Sequence, residues 1–356
     1  MPGELDLLRE LVAIPSVSGE EAAVAAFVED TVRGWGLDVV RDDSSVRVEV
    51  RGRAPGPTVA LVSHLDVVPP GAGWTRDPFT PVVEEGRLYG RGSGDAKASV
   101  AAMLFAAKDV QERGGMDAGR LVVVLGYGEE TKNTTMERAI ERVGEVDAAV
   151  VGEPTNLDIA VAQRGLMMVD LLAEGDQRHA GYAADDGAFR NAALVLARDL
   201  LKLEGLFTER AHPVLGRTSV TPTMLEAGVS RNVTPPIATA VLDIRSTPDW
   251  NHEEIAARLE AELDCSVVVT SRRLVPCETP AGSRLLAAAR QARPAARTFG
   301  SPTCSDWVFL RHADTVKCGP GTSRRSHTPD EWVDLPEVTA ARAFYGRLVR
   351  DYLAGG

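Results

Sequence analysis

Three short runs rich in β-branched residues constrain the fold more than anything else in the chain: "TVALVSH" (58–64), "RLVVVLGYG" (120–128) and "DAAVVGE" (147–153). They show little alternation of apolar and polar residues, the pattern of strands covered on both faces. Helical periodicity lies around them. "SVSGEEAAVAAFVEDTVRGWG" places Ser18 and Glu21 at capping-box spacing ahead of an amphipathic stretch, and "KASVAAMLFAAKDVQERGG" reads as a helix ended by glycines. Alternating helix and strand over 1–162 predicts an α/β domain with a layered mixed sheet. Sites in such domains gather beyond the C-terminal ends of the strands.

From about Gly165 the texture changes. "LMMVDLLAEG", a helix over 187–203, "RTSVTPTMLEAG", "ATAVLDIRS", a helix over 251–263 and "CSVVVTSRR" follow in turn. Strand, helix, strand, strand, helix, strand is the order of a ferredoxin-like α+β domain. After Pro276 the α/β texture returns and ends in a helix that Asp334 and Glu337 can cap. The chain therefore reads as one domain formed by 1–162 and 276–356, with a smaller domain over 163–275 inserted into it.

Charge and cysteine usage narrow the partners. A formal net charge of -12 argues against nucleic acid or an anionic membrane surface. No stretch approaches the ~20 apolar residues of a membrane span, and "MPGELDLLRE" lacks the regions of a signal peptide. The cysteines Cys265, Cys277, Cys304 and Cys318 are scattered, which predicts free thiols in a cytoplasmic setting and no zinc-thiolate site.

The chemistry lies where the apolar runs stop. "VALVSH" ends in His64 with Asp66 beyond it, "VVVLGYGEE" in Glu129 and Glu130, and "AAVVGE" in Glu153. The glycine-rich "LYGRGSGDAK" supplies Asp95, and "CGPGTSRRSHTPDEWV" supplies His327. Singly, each has a plain structural reading: a surface histidine, a solvated Glu-Glu pair, a tight glycine loop. His212, His252 and His312 lack such context and take that reading. Together, several carboxylates near one sheet edge are costly to bury unless a divalent cation offsets them. Imidazoles and carboxylates without thiolates suit zinc, with cobalt or manganese as alternatives. Two such ions ~3.5–4 Å apart need a bridging carboxylate and terminal ligands on each side. Asp95 fits as the bridge, His64 and Glu153 as ligands of one ion, and Glu130 and His327 as ligands of the other. Glu129 is then left free beside a ligand, as a general base for hydrolysis requires. Asp66 is placed to accept the other imidazole N–H of His64 and aim the ring.

These pieces occur in a specific order. "HLDVVP", Trp74 followed by "DPF", "LYGRGSGDAK", "EE" at 129–130, "GEPT", "RNVTP" with "DIRSTP", and "GPGTSRRSHTPDEWV" span residues 64–333. In this the chain resembles the co-catalytic zinc aminoacylases and carboxypeptidases, which include acetylornithine deacetylase, succinyl-diaminopimelate desuccinylase and the glutamate carboxypeptidases. Ala98, Gly128 and the absence of a proline after His179 depart from that family's usual residues. The resemblance implies a di-metal hydrolase domain with an inserted lid or dimerisation domain, and a homodimer formed through that insertion. It implies that His179 in "RHAGY" and Asn232 in "RNVTP" lie near the substrate, His179 arriving from the partner subunit. It also implies that Arg245 binds a substrate carboxylate.

The activity expected on these grounds is removal of an N-acyl group, foremost acetyl, from an amino acid such as ornithine, in arginine or lysine biosynthesis. In this reading Glu129 moves the protons and His179 helps to stabilise the oxyanion. The alternatives are an N-succinyl-diaminopimelate desuccinylase and a broader dipeptidase or carboxypeptidase. A metal- or amino-acid-binding protein without turnover would be free to lose Glu129, which is present.

Overall fold

The computed structural model describes residues 3–131, 133–183 and 189–354. They form two compact units. The first comprises Met1–Val161, Thr279–Phe299 and Ser305–Gly356, the second Ala162–Glu278 and Gly300–Cys304.

The first unit is built on a mixed sheet. Its strands run in the spatial order Asp38–Arg41, Ser45–Arg51, Ala118–Gly126, Ala54–His64, Ala148–Val151, Asp314–Lys317 and Ile159–Gln163. Ala118–Gly126, Ala54–His64, Ala148–Val151 and Asp314–Lys317 are mutually parallel, and the flanking strands pair antiparallel. Val59–Val62, Leu121–Leu125 and Ala148–Val151 are all buried, which accounts for their lack of alternation. Helix Lys97–Glu112 packs against both the sheet and helix Leu335–Ala354. It is buried on nearly every side, so small residues recur around it instead of along one stripe. Gly114 and Gly115, both at positive φ, follow its end.

The capping box expected from Ser18 and Glu21 does not form. The helix Ala22–Gly34 has no side-chain cap. Ser18 Oγ donates instead to Asp66 Oδ2 at 2.7 Å, and Glu21 Oε1 accepts from Gly19 N at 2.9 Å and Gly128 N at 3.0 Å. Glu337 likewise turns to a loop, accepting from Gly321 N at 2.7 Å.

The second unit carries a four-stranded antiparallel sheet in the order Ser219–Ala227, Ile237–Arg245, Leu166–Glu174, Ser266–Leu274. That is the ferredoxin-like arrangement expected from the element order. Met167, Val169, Leu171 and Ala173 alternate inward against helices Ala192–Lys202 and His252–Glu262. Asn251 caps the latter in a capping box with Glu254. Residues 187 and 188, at the expected start of the earlier helix, lie outside the described residues. The edge strand Ser219–Ala227 leaves Met224 66% and Leu225 61% exposed. Among the described residues no helix is long and apolar enough to cross a membrane. None of the four cysteines is in a disulfide.

Candidate metal centre

The strand Ala54–His64 runs out at the sheet edge and leaves the His64 ring fully buried. Asp66 turns back beneath it. His64 Nδ1 lies 3.0 Å from the Asp66 carbonyl oxygen and 3.4 Å from Asp66 Oδ1. The nearer contact to the ring is thus the backbone carbonyl, and the Asp66 carboxylate is hydrogen-bonded elsewhere. It accepts the backbone N–H of Glu129 at 3.0 Å and of Glu130 at 3.1 Å, as well as the Ser18 hydroxyl. One buried carboxylate thus fixes the loop after strand Ala118–Gly126 relative to the loop after strand Ala54–His64. Burial pushes the Asp66 carboxyl up, but His64 foremost, with Ser18 and the Glu130 N–H, holds it below the ordinary carboxylate range. Gly128, at φ +65°, makes the turn that leads into the Glu pair, and Glu21 holds its N–H.

The other imidazole nitrogen of His64 faces acids. His64 Nε2 is 3.4 Å from Asp95 Oδ1 and 3.7 Å from Glu153 Oε1. On the far side of Asp95, Oδ2 lies 3.7 Å from His327 Nε2, which is 2.9 Å from Glu130. Asp95 therefore presents one oxygen to each histidine. The ligand atoms of His64, Asp95 and Glu130 all lie within 4.8 Å of one another. Gly92 lets the Asp95 loop pass: its φ is +80°, and a Cβ there would stand 2.5 Å from Val67 Cγ1. Gly319 does the same beside Glu153, where a Cβ would meet Glu153 O at 2.6 Å.

The donor set fits divalent metal. His64 Nε2, Asp95 Oδ1 and Glu153 Oε1 are buried, converge on one another, and have no hydrogen-bond partner. Unpaired buried groups of this kind are rare and costly, and a cation between them satisfies all three. Electrostatics agree. Burial, then the neighbouring Asp95, push Glu153 up to about 8. Burial and then Glu153 raise Glu129 well above the carboxylate range. Burial opposes a charged His64, but the neighbouring Asp66 and Asp95 carboxylates hold it well above the usual imidazole range. Asp306, which the sequence reading did not single out, also belongs to this group. It is 1% exposed, and burial pushes it up to about 7.

These shifts predict how a metal-free chain responds to pH. Groups held above their ordinary values keep protons in the folded state that the unfolded chain releases. Stability therefore falls as pH rises, from the ordinary glutamate value of 4.5 through about 8 for Glu153. Asp306 and His64 act in the same direction. A metal-stripped preparation should melt at a clearly higher temperature near pH ~5.5 than near pH ~8. Reloading with zinc should flatten the difference. Equal melting temperatures of the stripped chain at both pH values would show that these groups do not keep their protons in the folded chain.

The remaining expected site residues lie in the second unit. His179 and Asn232 come together there: His179 bridges to Val233, and Ala180 N donates to Asn232 O at 2.8 Å. Both side chains are exposed, and His179 Nδ1 accepts from Gly181 N at 3.1 Å. Arg245 directs Nε and Nη2 onto Asp243, at 2.7 and 3.0 Å, two residues back on its own strand. Of the other histidines, His252 is a satisfied core residue bonded to Ser246 and the Arg272 carbonyl. His212 is buried, with Nδ1 receiving Val214 N and Leu215 N, and His312 is exposed.

Comparison with known proteins places this geometry in context. The model of the family described as "Peptidase family M20/M25/M40" matches residues 60–351. Succinyl-diaminopimelate desuccinylase of Methylorubrum populi is 30% identical over 98% of both chains. The enzyme of that name from Xanthomonas campestris pv. campestris is 29% identical, also over 98% of each. Among solved structures, the M20 family metallo-carboxypeptidase Sso-CP2 of Sulfolobus solfataricus superposes with a TM-score of 0.82 at 19% identity, covering 99% of this chain and 100% of that one. The YXEP protein of Bacillus subtilis, described as a dinuclear metal-binding peptidase of the M20 family, gives a TM-score of 0.74 at 17% identity, covering 99% and 98%. The match takes in the Asp95 and His327 loops and both units, and on that basis the chain belongs to peptidase family M20/M25/M40 and is a hydrolase of amide bonds.

Proposed function

We propose that the chain is a dinuclear metal-dependent amidohydrolase that releases the acyl group from an N-acyl amino acid, with N-succinyl-diaminopimelate as its substrate. The hydrolytic reading rests on one observation: Asp95 presents an oxygen to each of two histidines, with Glu129 close by and assigned to neither ion. His64 and Glu153 would hold one ion and Glu130 and His327 the other, zinc being the metal best matched to this donor set and cobalt or manganese the alternatives. When bound, such a pair supplies Lewis acidity to the amide carbonyl and lowers the pKa of the attacking water. Glu129 accepts the proton of that water and returns it to the departing amine. Its raised pKa suits both halves of that exchange. Asp66 keeps the His64 ring and the Glu129–Glu130 backbone in register throughout.

The substrate order expected from the sequence is reversed here. Acetylornithine headed that order, whereas the relatives matching 98% of the chain are named as succinyl-diaminopimelate desuccinylases. Initial rates on N-succinyl-diaminopimelate, N-acetylornithine and a dipeptide decide the matter. The succinyl substrate should exceed both others in kcat/KM by at least ~10-fold, the low end of what a single group difference in a substrate is worth. A faster rate on acetylornithine would restore the first reading.

We also propose the domain roles. Residues 1–162 and 276–356 form the catalytic part and 163–275 a lid that pairs with a second copy. Its exposed edge strand, carrying Met224 and Leu225, supports that pairing. His179 and Asn232 would then serve the partner's substrate, and Arg245 would exchange Asp243 for a substrate carboxylate. A monomeric mass by light scattering would remove this part of the proposal.

A further inference from the structure

Glu331 has no ligand role in this scheme, yet its carboxylate is the most heavily bonded near the centre. It is 1% exposed and lies on the segment that carries His327. Oε2 accepts from Arg91 Nη1 at 2.6 Å and from Gly92 N at 3.1 Å. Oε1 accepts from Gly94 N at 2.9 Å and Asp95 N at 3.0 Å. Three of these donors are backbone amides of one loop, the loop that ends in Asp95. Successive N–H groups turned inward make a concave anion site. Here the anion is a side chain from the other ligand loop. Arg91, itself 1% exposed, offsets its charge, so the contact adds no net negative charge to a centre already crowded with carboxylates.

The His327 segment is fixed on both sides of its ligand. Downstream, the Asp330 carboxylate accepts from Thr75 N at 3.0 Å and Thr75 Oγ1 at 2.8 Å. Upstream, the Arg325 guanidinium stacks 3.3 Å from the Trp332 ring centre, and Arg87 lies 3.8 Å from the same ring. His327 itself takes a left-handed backbone at φ +63°, which a non-glycine residue holds only where its surroundings enforce it.

We infer that Glu331 is the positioning residue of the metal centre: it holds the Asp95 loop around its own carboxylate and ties that loop to the His327 segment, so that the two ligands are set as one unit. The inference rests on the reading of Asp95 as a ligand of both ions. Without Glu331 three inward N–H groups lose their acceptor, and the loop must turn to satisfy them elsewhere, carrying Asp95 with it.

Glu331→Gln tests this with little change of shape. The amide oxygen serves only one of the two donor pairs, and its NH2 is turned against the other. In the zinc-loaded full-length chain, affinity for zinc, read by competition with a chelator at 25 °C, should fall by ~10–100-fold, the usual effect of losing an outer partner of a ligand. Both ions should be affected. A lower melting temperature with unchanged zinc affinity would mean that Glu331 only stabilises the fold, and would overturn the inference. If the variant does not fold, amide hydrogen exchange on the unmutated chain decides instead. Gly92, Gly94 and Asp95 should stay protected after zinc is chelated; exchange at loop rates on zinc removal would show that the ion holds the loop, not Glu331. An Asp95→Ala chain that kept both ions would instead sink the ligand reading itself, whatever Glu331→Gln did.

Discussion

Glu129→Gln should leave a folded, metal-loaded chain whose kcat is lower by ~10²–10⁴-fold, the range in which a positioned general base contributes. The amide is isosteric and cannot take a proton. Glu129 N stays bonded to Asp66, so the backbone of the turn keeps its anchor. No ligand is lost, because the contact to His327 is made by Glu130. KM should change far less than kcat, since the missing interaction belongs to the transition state. The neighbouring Glu130→Gln should do the opposite first, weakening metal binding and losing activity as a consequence. Metal analysis and steady-state kinetics on the two variants separate these outcomes. Reversed phenotypes would mean that the roles of the two glutamates are exchanged.

Asp95→Ala should cost both ions, a larger effect than loss of any terminal ligand. Its two oxygens face His64 and His327 separately, at 3.4 and 3.7 Å. In the proposed centre, losing Glu153 or Glu130 would remove one donor from one ion. Losing Asp95 would remove a donor from each, and also the negative charge that allows two dications to sit side by side. Metal content per chain after exhaustive dialysis should fall from two to at most a weakly held remnant. Activity should fall with it. A fully loaded, active Asp95→Ala protein would place the bridge elsewhere.

Much of the fold was legible because parallel strands buried on both faces leave an unmistakable texture, and their ends are where polar residues reappear. Val59–Val62 and Ala148–Val151 are such runs, and His64 and Glu153 each follow after one intervening residue. The ferredoxin-like order was legible for a similar reason, since Met167, Val169 and Leu171 alternate against helices of recognisable period. What escaped were contacts whose partners are remote in the chain. Ser18 and Glu21 have capping-box spacing, but Asp66, 48 residues on, and Gly128, 107 residues on, claim them. Local spacing reports local competition only, and a buried carboxylate in need of donors outweighs a helix end that water can satisfy. Glu331 escaped likewise: four residues past His327 it looks like any acid in a polar loop, and only the tertiary fold brings the amides of Gly92, Gly94 and Asp95 to it. Arg245 shows the converse. A strand carries residues two apart on the same face, so Asp243 was always within its reach.

We place Asp95 between two metal ions held by His64, Glu153, Glu130 and His327. Anomalous diffraction at the zinc edge from crystals of the zinc-loaded chain tests this placement most directly. Two peaks ~3.5–4 Å apart should appear, one beside His64 and Glu153 and the other beside Glu130 and His327, with one Asp95 oxygen on each. A single peak, or a pair that Asp95 does not join, would contradict it.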